Sequence, residues 1–122
     1  MEKHIEVMKI SQELVETMLE GLEHIKSSIS SGKFEQTIFL FEDVLIAFSA
    51  IEQSIEPFKG KLEGHSVEAD LESLKKVLEL TVASYEEKNY SRVQEIVQFS
   101  LGPQFKKLRS GLEEAFKPYL LS

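Results

Sequence analysis

Residues 15–45, VETMLEGLEHIKSSISSGKFEQTIFLFEDVL, return 56 positions later as residues 71–101, LESLKKVLELTVASYEEKNYSRVQEIVQFSL. The two stretches share little identity but the same placement of apolar side chains. Val15 pairs with Leu71, Met18 with Leu74, Leu22 with Leu78 and Ile29 with Tyr85. Phe34 then pairs with Tyr90, Leu40 with Ile96, Phe41 with Val97 and Leu45 with Leu101. A turn falls within one residue of the same place in each copy, Ser31-Gly32-Lys33-Phe34 and Lys88-Asn89-Tyr90-Ser91. Each copy therefore reads as two helices joined tightly, and two such hairpins make an all-α, four-helix up-down bundle.

The spacing predicts a first helix over about His4 to Ser31, because Met8, Val15, Met18, Leu22, Ile25 and Ile29 recur at three- and four-residue steps with Ser11 in the one polar seat. Gly32 supplies its left-handed end. A second helix, about Lys33 to Ser54, carries Phe34, Ile38, Phe41, Val44, Leu45, Phe48, Ile51 and Ile55 toward the core. Pro57 stops it, and residues 57–65 read as the loop joining hairpin 1 (about 4–56) to hairpin 2 (about 66–120). Ser66 is the expected N-cap of a third helix whose inward stripe is Val67, Leu71, Leu74, Leu78, Thr81, Val82 and Tyr85. Ser91-Arg92-Val93-Gln94 has the form of a capping box for a fourth helix. Val93, Val97, Leu101, Leu108, Leu112 and Ala115 continue the core there. Gly102-Pro103 should kink or break this last helix, since Pro103 leaves the carbonyl of Phe99 without its usual donor. The apolar tail from Phe116 to Ser122 either packs down or serves as a docking peptide.

At 122 residues the chain fits one domain, residues 1–122, that needs no staple, and it contains no cysteine for disulfides, thiolate metal sites or thiol catalysis. Met1-Glu2-Lys3-His4 carries charge where a signal peptide carries its apolar stretch, and no apolar run is long enough for a membrane span, so the expected location is the cytoplasm. A net charge of −7 disfavours nucleic acid and anionic lipid as partners. The basic turn at Lys106, Lys107 and Arg109 reads as a solvated face.

Chemistry leaves few candidates. A ferritin-type di-iron bundle needs Glu-x-x-His on two helices, and this motif is missing from the chain. Glu20 and His24 are spaced to share a metal ion but lie on the outer face of their helix. No G-x-S-x-G elbow or phosphate-cradling glycine loop is present. The expectation is a non-enzyme without catalytic residues, cofactor or metal. Glu52 falls between Phe48 and Ile55 on the core stripe, so its carboxylate should find a basic partner, Arg109 first among them, or reach solvent at the bundle end. Phe39 and Ile46, a heptad apart with Ala50 extending their line, point away from the core of the second helix. Leu80 on the third helix and Phe99 on the fourth also point outward. Phe39, Ile46, Ala50, Leu80 and Phe99 are therefore the candidate protein-interaction residues, for a two-fold homodimer or another protein, unless the 57–65 loop or the tail covers them. The rival is a bundle holding a small apolar ligand in a cavity lined by Phe41, Phe48 and Phe105.

The run Gln12-Glu13-Leu14-Val15-Glu16-Thr17-Met18-Leu19-Glu20-Gly21-Leu22-Glu23-His24-Ile25, with the turn Gly32-Lys33-Phe34-Glu35 after it, resembles the first hairpin of bacterial flagellar export chaperones. Leu108-Arg109-Ser110-Gly111-Leu112-Glu113-Glu114-Ala115 is similar to their C-terminal segment. The resemblance implies a small cytoplasmic bundle that holds an unfolded secretion substrate. The tyrosine-bearing N-terminal segment of those chaperones has no counterpart, since the first tyrosine is Tyr85, so no binding residue is carried over. The chain equally fits a small bacterial helical protein outside that family.

Overall fold

Helix α1 (Glu2–Ser30) buries Met8, Val15, Met18, Leu22, Ile25 and Ile29 as one continuous stripe, with Ser11 fully enclosed in the polar seat. The computed structural model describes residues 2–62 and 64–120. Gly32 ends α1 at φ +79°, with the Lys33 amide donating to the Ser28 carbonyl at 2.8 Å. Fifty-six positions on, Lys88 takes φ +57° and the Asn89 amide donates to the Ser84 carbonyl at 2.9 Å. The sequence repeat is thus also a repeat of backbone hydrogen bonds, a Schellman-type ending in each hairpin.

After the first turn the chain departs from expectation. Helix α2 (Thr37–Ile55) begins four residues later than its apolar pattern suggested, because Phe34 to Gln36 form a further turn. Thr37 holds that turn: its buried hydroxyl donates to the Phe34 carbonyl at 2.6 Å and accepts from the Tyr85 hydroxyl at 2.9 Å. Phe34 consequently leaves the core and stacks on Tyr90, its counterpart in the repeat, with ring centroids 4.9 Å apart. Phe41, Val44, Phe48, Ile51 and Ile55 are buried as expected, while Ile38 and Leu45 are half-buried.

Pro57 ends α2, yet the segment read as a loop is largely a 3₁₀ turn, Glu56–Leu62. Phe58 and Leu62 sink into the core there, Phe58 in T-shaped contact with the rings of Phe116 and His4. The missed signal is their spacing: apolar residues four apart beside a proline suffice to plug a bundle end. Helix α3 follows (Val67–Glu86) and buries Val67, Leu74, Leu78, Thr81 and Tyr85. Ser66 precedes it but makes no side-chain cap; its hydroxyl donates to Asp70 Oδ2 at 3.0 Å instead.

The last helix of the bundle comprises α4 (Tyr90–Ile96), a wide π turn (Val97–Leu101) and α5 (Gly102–Leu120). Asn89, not Ser91, caps α4, accepting the Arg92 amide at 3.2 Å. Gln94 reaches across to the Ser30 hydroxyl rather than back to its own helix end. The expected interruption at Gly102-Pro103 takes the form of the π turn, in which the Gly102 amide bonds the Val97 carbonyl. Val93, Val97, Leu101 and Phe105 are all buried at successive four-residue steps. On a regular helix each such step drifts about 40°, carrying the stripe out of the core, and a widened turn takes up that drift. The missing amide of Pro103 falls where the regular ladder is already broken. The tail packs down as helix: Phe116 is buried and Tyr119 and Leu120 lie against the core, with Leu121 and Ser122 outside the described residues.

The result is an all-α four-helix bundle. Helix α2 packs chiefly on α1, α5 lies between α1 and α3, and α2 meets α3 only lightly. Gly21 permits the tight α1–α2 approach, since a Cβ there would stand 3.3 Å from a Val44 methyl.

Candidate interaction surface

On α2 the core residues occupy one side and leave Phe39 and Ile46 opposite, 70% and 69% exposed. Neither the 3₁₀ turn nor the described part of the tail covers them, since both are committed to the other end and to the core. Ala50 is half-buried and continues their line only weakly. The charges beside this stripe are of one sign: Glu35, Glu42 and Asp43 are exposed around it, and the chain carries no lysine or arginine between Lys33 and Lys59.

Leu80 does not extend this stripe. It shares a flank of α3 with Val77 and Ser84, three residues before and four after it. Asp70, a heptad before Val77 on that flank, meets Lys107 of α5 at 3.5 Å, so the flank is turned toward α5 and away from α2. From that ion pair Leu80 lies about 15 Å along α3, and Phe99 about 12 Å along the last helix toward the same end. The expected single patch is therefore two: Phe39 and Ile46 on α2, and Leu80 (52% exposed) with Phe99 (69% exposed) across α3 and the π turn. Ile10, also exposed on α1, was not singled out from the sequence because it stands alone outside its helix's apolar stripe.

The carboxylate expected to be enclosed is not the one that is. Glu52 is half-buried and lines an open cleft of about 370 Å³ between α2 and α3, with Ile55, Leu71 and Glu72 among its neighbours. Its approach to solvent agrees with one branch of the expectation, and the pairing with Arg109 fails: that guanidinium bonds Glu16 of α1 at 3.2 Å. The enclosed acid is Asp70, 6% exposed and held by Ser66 and Lys107.

Phe48 and Phe105 are both buried, edge to face at 6.4 Å, so these rings pack on one another in the core where the ligand-binding rival requires a cavity. Glu20 and His24 remain exposed, and the described residues contain no group of three or more His, Asp or Glu side chains able to hold a metal ion. One ionisation is displaced: burial, above all, raises the Tyr85 phenol above 10.0, with Tyr90 adding to the rise and the Thr37 hydrogen bond opposing it. This is a structural tyrosine at the turn end of the bundle. No described helix is long and apolar enough to cross a membrane.

No curated protein and no solved structure matches the chain. Residues 6–111 match the model of a family described as a domain of unknown function, DUF8042, which spans α1 through much of α5. The chain belongs to the DUF8042 family.

Proposed function

We propose that this protein is a non-enzymatic, cytoplasmic protein-interaction module whose docking surface is the outer face of α2. The observation that carries this reading is the exposure of Phe39 and Ile46, 70% and 69%, one heptad apart on the side of α2 opposite its buried stripe. The bundle's own packing is complete without them, so nothing in the fold calls for a phenylalanine and an isoleucine in water. Covering each would contribute about 1.5–3 kcal/mol, so the two anchors supply the apolar centre of a contact with a helix or a flat helical surface, to which the surrounding contacts add. A chaperone-like or regulatory role falls within this reading, as the resemblance to flagellar export chaperones implies. Size-exclusion chromatography of native extracts tests it. The unmodified chain should elute well above its 13.9 kDa, and a Phe39→Glu, Ile46→Glu variant with unchanged helicity should elute alone. Identical elution of the two proteins would refute the docking surface.

A further inference from the structure

We propose that a second copy of this chain docks on the α2 stripe head to tail, presenting the Leu80–Phe99 patch of its α3 and π turn. The inference rests on the reading of α2 as a docking surface and names the occupant.

Two apolar patches of one chain are left open, and their charged surroundings are opposite. Phe39 and Ile46 are fringed by Glu35, Glu42 and Asp43 on a helix devoid of lysine and arginine. Around Leu80 and Phe99 the exposed charges are mostly basic. Lys76 lies one turn before Leu80, and Arg92 and Lys106 stand a heptad on either side of Phe99; Lys107 follows, and the acids among them are Glu95 and Glu87, the latter a heptad after Leu80. Lys107 is 70% exposed despite its contact with Asp70, so its charge still faces outward.

A two-fold pairing of α2 with α2 would place Glu42 and Asp43 opposite their own copies, a like-charge juxtaposition that complementary interfaces avoid. Pairing the acidic stripe with the basic patch removes both apolar exposures and matches sign with sign. Because Leu80 is turned away from α2, one copy cannot satisfy both patches of its mate about a single two-fold axis, and the contact is heterologous. Each added copy then leaves one patch of each kind open, so assembly continues past the dimer unless it closes as a ring. A contact near 10% of the 7390 Å² surface is of the size stable interfaces use.

Sedimentation of the purified full-length chain across about 10–300 µM decides it. The expected result is a mean mass rising with concentration beyond that of a dimer. Phe39→Glu, Ile46→Glu and Leu80→Glu, Phe99→Glu variants should each stay monomeric, because each keeps one competent patch that meets no partner. Mixed in equal amounts, these two variants should form a 1:1 dimer that does not grow. All the substituted side chains are exposed, and far-UV circular dichroism verifies the fold of each. A second pair covers any variant that unfolds: Lys76→Glu, Lys106→Glu should weaken association at least tenfold, and Glu42→Lys, Asp43→Lys should restore it on mixing. A wild-type chain that stays monomeric, a plateau at dimer with Leu80→Glu, Phe99→Glu still dimerising, or no association on mixing would overturn the head-to-tail pairing. A monomeric purified chain that still elutes large in extracts, through Phe39 and Ile46, would retain the docking surface and assign it to another protein. Loss of both behaviours would remove the surface itself.

Discussion

Thr37→Val should destabilise the fold by about 1–3 kcal/mol, and the loss should depend on Tyr85. Valine keeps the volume of threonine but removes a hydroxyl that is fully enclosed and serves two partners, the Phe34 carbonyl at 2.6 Å and the Tyr85 hydroxyl at 2.9 Å. The Tyr85 hydroxyl would be left without its acceptor at a site only 9% exposed. Tyr85→Phe removes the stranded donor itself, and Thr37 keeps its bond to Phe34, so this variant should lose only about 0.5–1.5 kcal/mol. In the double variant the losses should fall short of additivity by about 1 kcal/mol, the coupling that one shared hydrogen bond carries. Urea unfolding followed by circular dichroism measures all three; with a slope of about 1.5 kcal/mol/M, the Thr37→Val midpoint should fall by roughly 1 M. Strict additivity, or a Thr37→Val variant as stable as the wild type, would refute the claim that this bond ties the first turn to α3.

The repeat supplies another test: Lys88 occupies the left-handed conformation that Gly32 takes in the first hairpin, so Lys88→Gly should raise stability by about 0.5–1 kcal/mol in thermal melts. Within α5, Gly111→Ala should add about 0.5–1 kcal/mol, its new Cβ making ordinary contact 3.4 Å from Asp70 Oδ2, whereas Gly102→Ala should gain nothing because its Cβ presses the Val97 carbonyl at 3.2 Å. A stabilised Gly102→Ala variant would contradict the packing of the π turn. Burial raises the Tyr85 phenol, so the fold favours its neutral form; that contribution is intact below about pH 10 and is lost as pH rises through the raised value. Tyr85→Phe should therefore show a shallower decline in stability above about pH 10, measured by urea midpoints against pH.

The bundle was legible because apolar spacing alone sets which side of each helix is buried: most stripe residues from Met8 to Ala115 are enclosed, while Ile38, Leu45, Leu71 and Val82 are half-buried and Phe34 is exposed. Departures occur where a side chain's partner comes from another element. Thr37 is buried by its bond to Tyr85, 48 residues away, and that bond moves the start of α2 and expels Phe34. Asp70 is enclosed because Lys107 and Ser66 converge on it, which no local pattern reveals. The π turn was half legible: the proline marked the place, while the succession of four-residue steps through Val93, Val97, Leu101 and Phe105 carried the form. Outward placement of Phe39, Ile46, Leu80 and Phe99 follows from helical geometry, but the grouping of Leu80 with Phe99 needed the helix register set by the Asp70–Lys107 pair.

The most direct test of α2 as a docking surface is photo-crosslinking in the native cell, with a photoreactive phenylalanine analogue at Phe39 and, as a control, at exposed Glu13 of α1. A discrete crosslinked protein band from position 39 and none from position 13 is the expected result, its mass and peptide content identifying a second copy or another protein. Equal or absent crosslinking at both positions would contradict the account.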